Sequence, residues 1–195
     1  MSQPSSPPDS RVGLHLDRGF FTTRDFCLDL LITPLNKRHN RKGFNCGETT
    51  LNQYLQNHTG QDIKRDINRV FIASQVDFTD QVVGYYSLGA GSLDANDLPE
   101  SLRSRLPRYP VPIAVLGRLA MAKSRQGEGI GSILIADALQ RIARASQALA
   151  VYAVVVDALN DRAANFYRQF GLMSLPSQPL KLFLPLASFA HLIEP

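Results

Sequence analysis

Six consecutive residues, Gln126-Gly127-Glu128-Gly129-Ile130-Gly131, carry the pattern best suited to chemistry. Glycine at every second position lets the backbone turn tightly and leaves amide N–H groups uncovered where a helix begins. Such a nest, with the helix dipole behind it, binds phosphate oxygens through backbone donors. An ordinary strand-to-helix turn can use the same residues. The Walker pattern is excluded because no Gly-Lys-Ser/Thr follows. A dinucleotide-binding loop fits poorly, since no acidic residue ends a strand about twenty positions on. The second group with chemical potential is Tyr167, whose phenol, with an ordinary pKa of about 10, is a proton donor at neutral pH. Phe166 and Phe170 flank it, and an aromatic stripe at that spacing equally describes core packing.

These groups act only if the surrounding elements hold them. Ile113 to Met121 reads as a long, largely buried strand running toward the glycines. Beyond them Ile130, Leu134, Ala138, Ile142, Ala145 and Leu149 recur at three- and four-residue intervals, the stripe of an amphipathic helix. Val151 to Val156 is valine-rich and reads as a strand buried on both faces. Asn160 or Asp161 then caps a helix carrying Ala163, Phe166, Tyr167 and Phe170, which Gly171 stops. Upstream, Leu28 to Ile32 reads as a first strand ended by Thr33-Pro34, followed by a loop from Asn36 to Lys42. Gly47 to about Arg65 reads as helix. Val70 to Ala73 and Val82 to Leu88 read as antiparallel neighbours across a turn near Asp77–Asp80. A short helix is expected within Ala95 to Arg105, and the prolines at 107, 110 and 112 forbid its continuation. A strand around Leu180 to Leu184 closes the chain. This order describes an α/β (α+β) domain with one central sheet.

The chain of 195 residues suits one globular domain, with hydrophobic residues at 44% and charged residues at 19%. Residues 1–25 are expected to be a disordered extension, Pro- and Ser-rich at its start, and residues 26–195 a single domain. No apolar run approaches the ~20 residues of a membrane span, and the N-terminus lacks the features of a signal peptide. Cys27 and Cys46 form no C-x-x-C pair, so neither a disulfide framework nor a metal site is expected and the cytoplasm is the default compartment. The four histidines are scattered and receive no catalytic role. The net charge is +4, unevenly spread. Lys37, Arg38, Arg41 and Lys42 crowd into an acid-free stretch from Leu30 to Gly47, and Arg103, Arg105 and Arg108 lie in another that runs from Ser101 to Lys123. Each cluster is either a solvated loop or a contact for a polyanion such as RNA.

Three segments together resemble one enzyme superfamily. Gln126 to Gly131 matches the Gln/Arg-x-x-Gly-x-Gly/Ala signature of the GNAT N-acetyltransferases. Leu119-Ala120-Met121 resembles their splayed strand, and Asn160 to Gly171 their Asn-x-x-Ala-x-x-Phe-Tyr-x-x-x-Gly segment. The resemblance implies a GNAT fold, a central mixed, mostly antiparallel sheet flanked by helices with splayed cofactor strands, and acetyl-coenzyme A as cofactor. It implies cofactor contacts from Leu119, Ala120, Met121, Gln126, Gly127, Glu128, Gly129, Ile130, Gly131, Ser132, Asn160, Ala163 and Phe166. Phe44-Asn45-Cys46-Gly47, Leu51 to Leu55, Gly84 to Leu88, Leu106 to Pro110 and Leu116 to Ala120 are similar to the acetyltransferase toxins of bacterial toxin–antitoxin pairs. That subgroup implies acetylation of the α-amine of aminoacyl-tRNA, a small ribbon-helix-helix antitoxin as partner, and a homodimer.

Under that resemblance Tyr167 is the catalytic acid beside the coenzyme A sulfur, and the backbone near Leu119 and Met121 is the oxyanion donor. Many GNAT enzymes carry a glutamate base on an earlier strand, but no carboxylate lies between Pro107 and Lys123. The α-amine of an aminoacyl ester loses its proton more readily than a lysine, which favours such an acceptor. Arg118 is read either as a contact to RNA or a substrate carbonyl, or as an edge-exposed arginine. Glu128 is expected to face solvent. Two other functions remain compatible: acetylation of a protein or small-molecule amine, and a non-catalytic coenzyme A-binding regulatory module.

Overall fold

The β-rich segments read from the sequence assemble into one seven-stranded sheet, in a computed structural model that describes residues 29–193. The expected disordered extension, Cys27 and the start of the first strand lie outside the described residues. The strands are β1 (Leu30–Pro34), β2 (Arg69–Gln75), β3 (Gly84–Leu93), β4 (Val111–Met121), β5 (Ala153–Asp157), β6 (Met173–Leu175) and β7 (Gln178–Pro185). Their order is β1-β2-β3-β4-β5-β7-β6, and β4–β5 is the parallel pair. A parallel connection needs a crossover, supplied by α4 (Ile130–Ala145). The remaining helices are α1 (Thr49–Gln53), α2 (Thr59–Lys64), α3 (Glu100–Arg103) and α5 (Asp161–Arg168).

Amphipathicity sorts the helices onto two faces. Ile130, Leu134, Ala138 and Ile142 of α4 are buried against Tyr86, Val154 and Val156. On the opposite face Tyr54 and Leu55 pack with Ile72, Tyr85 and Ala120. Ala153 and Val155 of β5 join Phe183 in a third cluster, so β5 is buried on both faces as its valines predicted.

Two expectations need correction, and one strand was not read from the sequence. Leu149 does not extend the α4 stripe: the helix ends at Ala145, and Leu149 is 64% exposed. There Ser146 turns its hydroxyl to the Ala143 carbonyl, and the chain leaves the helix to enter β5. The helix expected from Gly47 to Arg65 is interrupted by a π-helical turn, Tyr54–His58, between α1 and α2. The short strand β6 carried no readable pattern in its three residues.

Candidate active site

β4 and β5 are paired only over Ile113–Val115 against Ala153–Val155, then separate. The separation begins at a bulge. β3 pairs Ser87 with Arg118 and Leu88 with Leu116, leaving Gly117 as the extra residue. A bulge bends its strand and re-aims the side chains that follow. A Cβ at position 117 would lie 3.1 Å from Ser87 Oγ, so the bulged residue must be small. Beyond it the alternation of β4 can be read from one bond: Ala122 N–H donates to the Val83 carbonyl. Ala120 therefore also faces β3, while the backbone N–H groups of Leu119 and Met121 point toward the side that β5 has vacated.

The gap opens into a cavity of about 640 Å³, lined by Leu119, Met121, Gln126, Gly127, Gly129, Gly131 and Ser132 on one side. Asn160, Ala163, Phe166 and Tyr167 of α5 line the other. The glycine loop closes one end. Gly127 and Gly129 have φ of +88° and +79°, left-handed values that favour glycine. A Cβ at either position would meet nothing within 4 Å, so the loop borders open space. No acceptor among the described residues pairs with the N–H of Gly129, Ile130 or Gly131. Uncovered donors at the start of a sixteen-residue helix make a phosphate cradle. Gly131 serves packing: a Cβ there would approach Met121 Cε to 3.0 Å and Phe166 Cζ to 3.2 Å.

The other expected cofactor residues divide by role. The Gln126 side chain donates to the Cys46 carbonyl at 3.0 Å, tying the glycine loop to the segment before α1. Asn160 caps α5 by accepting from Ala163 N–H at 2.9 Å. Ile130 is fully buried in the core, and Ala120 packs on the opposite face of the sheet. Glu128 is exposed and held by Arg125 at 2.7 Å, so it faces solvent in an ion pair.

Tyr167 is 6% exposed and edges against Phe166 with ring centroids 5.3 Å apart. No charge and no hydrogen-bond partner among the described residues perturbs its hydroxyl, and the side chain lines the cavity. Burial alone pushes its pKa well above the ordinary phenol value, so it stays protonated. The ring is thus packed as core while the hydroxyl is left to the cavity.

Arg118 follows the bulge within β4, with its guanidinium carbon 3.6 Å from the Tyr54 ring centroid. β4 carries no carboxylate, but Glu48 and Asp157 reach the rim of the cavity together with Cys46. Sequence reasoning missed both acids; the break after the valine run of β5 was the available signal for Asp157. Both are exposed, and Asp157 lies 3.8 Å from Lys181. The buried His39 is a loop brace: Asn36 N–H donates to its Nδ1 at 3.0 Å.

The two basic clusters do not meet. Lys37, Arg38, Arg41 and Lys42 lie in the loop whose Asn40 N–H donates to the Asp80 carbonyl, near the end of β4. Arg103, Arg105 and Arg108 precede the start of β4, whose eleven residues span about 35 Å. Arg41 donates to Thr59 Oγ1 at 3.0 Å and Arg103 pairs with Glu100, one residue outside the acid-free stretch. Among the described residues no group of His, Cys, Asp and Glu could hold a metal, and no helix is long and apolar enough to cross a membrane.

Comparison with known proteins gives the same fold. A "tRNA-acetylating toxin" of Mycobacterium tuberculosis is 36% identical over 141 residues, 72% of this chain and 82% of the relative. The structure of AtaT complexed with acetyl-methionyl-tRNAfMet superposes with a TM-score of 0.78 at 32% identity, covering 85% of this chain and all of that one. A tyrosine-to-phenylalanine variant of AtaT, bound to the C-terminus of the antitoxin AtaR and acetyl-CoA, superposes with a TM-score of 0.72 at 30% identity, covering 86% and 99%. Residues 46–172, from the loop before α1 through α5, match the acetyltransferase (GNAT) family, and this chain belongs to it.

Proposed function

We propose that this chain transfers acetyl from acetyl-CoA to the α-amine of aminoacyl-tRNA, a toxin reaction that blocks translation. The observation that carries the reading is the split between β4 and β5, which sets uncovered Leu119 and Met121 N–H groups opposite the free hydroxyl of Tyr167. Acetyl-CoA, when bound, supplies an acetyl thioester. The glycine loop would hold its pyrophosphate through backbone donors, and the gap between β4 and β5 would receive its arm. The Leu119 and Met121 N–H groups donate to the thioester oxygen as negative charge grows there. The amine nitrogen bonds to the acetyl carbon, the carbon–sulfur bond breaks, and Tyr167 gives its proton to the departing sulfur. The amine releases its own proton to solvent, and solvent reprotonates Tyr167.

Arg105, Arg108 and the exposed Lys37, Arg38 and Lys42 are proposed contacts to RNA phosphates, with Arg103 contributing less because of Glu100. Tyr109 lies among the arginines and is 67% exposed, a platform on which an unpaired base can stack. The antitoxin-bound structure of AtaT supports an antitoxin partner, and the toxin resemblance further supports a ribbon-helix-helix antitoxin and a homodimer. The substrate places the reaction in the cytoplasm.

The test is incubation with labelled acetyl-CoA and either charged or uncharged tRNA. Label is expected only on charged tRNA. Label on small amines or proteins with none on charged tRNA would overturn the proposal in favour of a general amine acetyltransferase; no transfer at all would favour a binding module.

A further inference from the structure

Arg118 is a half-buried residue whose guanidinium has no carboxylate partner among the described residues. Its position is nonetheless fixed. The ring of Tyr54 lies 3.6 Å beneath it, and Tyr54 is 4% exposed and anchored by donating to Asp62 Oδ2 at 3.0 Å. Asn68 donates to the same carboxylate oxygen at 3.1 Å, bracing it. Tyr54 also opens the π-helical turn, a rare conformation that is frequent at functional sites. The Gly117 bulge immediately precedes Arg118 and sets its direction. A guanidinium has five N–H donors and no acceptor, and stacking on a ring satisfies none of them. Arg118 lines the same cavity as Tyr167 and immediately precedes Leu119, so it borders the cavity that the amine must enter.

From this we infer that Arg118, clamped on Tyr54, is the residue that selects the acceptor: it donates to a carbonyl oxygen adjoining the reacting amine. The inference rests on the aminoacyl reading above and adds how that class is recognised. A fixed cation beside the amine repels a protonated lysine and attracts a neutral amine with an electron-rich oxygen three bonds away. An aminoacyl ester has that arrangement; an alkylamine does not. The exposed Glu48 and Asp157 lie at the cavity rim rather than on the Arg118–Tyr54 stack.

The test uses the full chain, acetyl-CoA, and a panel of amino-acid methyl esters, each paired with its decarboxylated amine. Intrinsic amine reactivity is common to every variant, so a changed ester-to-amine ratio of kcat/KM reports the side chain. Arg118→Gln is expected to lower that ratio roughly 10- to 100-fold, the worth of a hydrogen bond to a charged group, while acetyl-CoA affinity holds. Arg118→Lys keeps the charge without the planar fork and should retain part of the preference. Tyr54→Phe keeps the ring and should stay near wild type, whereas Tyr54→Leu removes the clamp and should follow Arg118→Gln. If Arg118→Gln fails to fold, the Lys and Tyr54 variants decide. A wild-type ratio in Arg118→Gln, or in Arg118→Lys and Tyr54→Leu, overturns the assignment of Arg118. Wild type preferring the plain amines overturns the aminoacyl reading itself.

Discussion

At the scale of single residues, the least ambiguous chemistry belongs to Tyr167. Its ring edges against Phe166 and sits in the main core, so Tyr167→Phe should fold like wild type. Only the hydroxyl is lost, and with it the proposed proton donor, so turnover should fall on the order of 10²–10⁴-fold. Acetyl-CoA affinity should not change, which calorimetric titration checks alongside the rate. Burial raises this pKa above its ordinary value of about 10, so the acid form is present throughout the neutral and mildly alkaline range. Wild-type kcat should therefore show no loss from Tyr167 up to about pH 9.5. The linked stability runs the same way: it is complete below about pH 10 and is lost as pH rises toward the folded-state pKa, because only the unfolded phenol ionises there. An alkaline limb in wild-type kcat near neutrality that vanishes in Tyr167→Phe would contradict the burial argument. Full turnover by the variant would return Tyr167 to a packing role.

At the scale of elements, the glycine loop and α4 were legible because both write their requirement locally. Alternate glycines demand left-handed backbone, and a three-four stripe demands a buried face. The bulge was not legible, since it is defined by the Ser87/Leu88 register of a different strand. Nor was the Arg118–Tyr54 stack, whose members come from separate elements, or the arrival of Glu48 at the cavity rim. Leu149 shows the converse limit, in that a periodic pattern continues past the point where the polar Ser146-Gln147 turn ends the helix. The loop itself allows a controlled test. Gly129→Ala and Gly129→Glu share one backbone cost, about 1–2 kcal/mol for leaving the left-handed preference of glycine. Neither side chain meets protein within 4 Å at Cβ, so both project into the space assigned to phosphate. Both variants should lose similar thermal stability, but Gly129→Glu should bind acetyl-CoA markedly more weakly than Gly129→Ala, because it adds a negative charge. Equal affinities in the two folded variants would remove the pyrophosphate from this loop.

For the whole molecule, the decisive fact is that the two basic clusters flank opposite ends of β4, whose last residues line the cavity. Charge counting along the sequence treats them as one excess; the fold makes them two separate footholds with an eleven-residue strand between them. A small acceptor can touch neither while reacting at the cavity, whereas an extended RNA can reach both. Contacts so far apart act independently, so their effects should add. Each phosphate contact contributes about 0.7–0.9 to the slope of log affinity against log salt, because each releases a counterion. Replacing Arg103, Arg105 and Arg108 by alanine should flatten the slope for charged tRNA. Replacing Lys37, Arg38 and Lys42 should flatten it independently, and joining the two sets should give the sum. Arg41 is left in place because its bond to Thr59 braces α2. Acetyl-CoA affinity and acetylation of a small amine ester should be unmoved in all three proteins. If one set alone changes the slope, the RNA path runs over that end of the sheet only. A wild-type slope in all three would show that neither cluster meets phosphate, and the acceptor would then have to be held at the cavity itself.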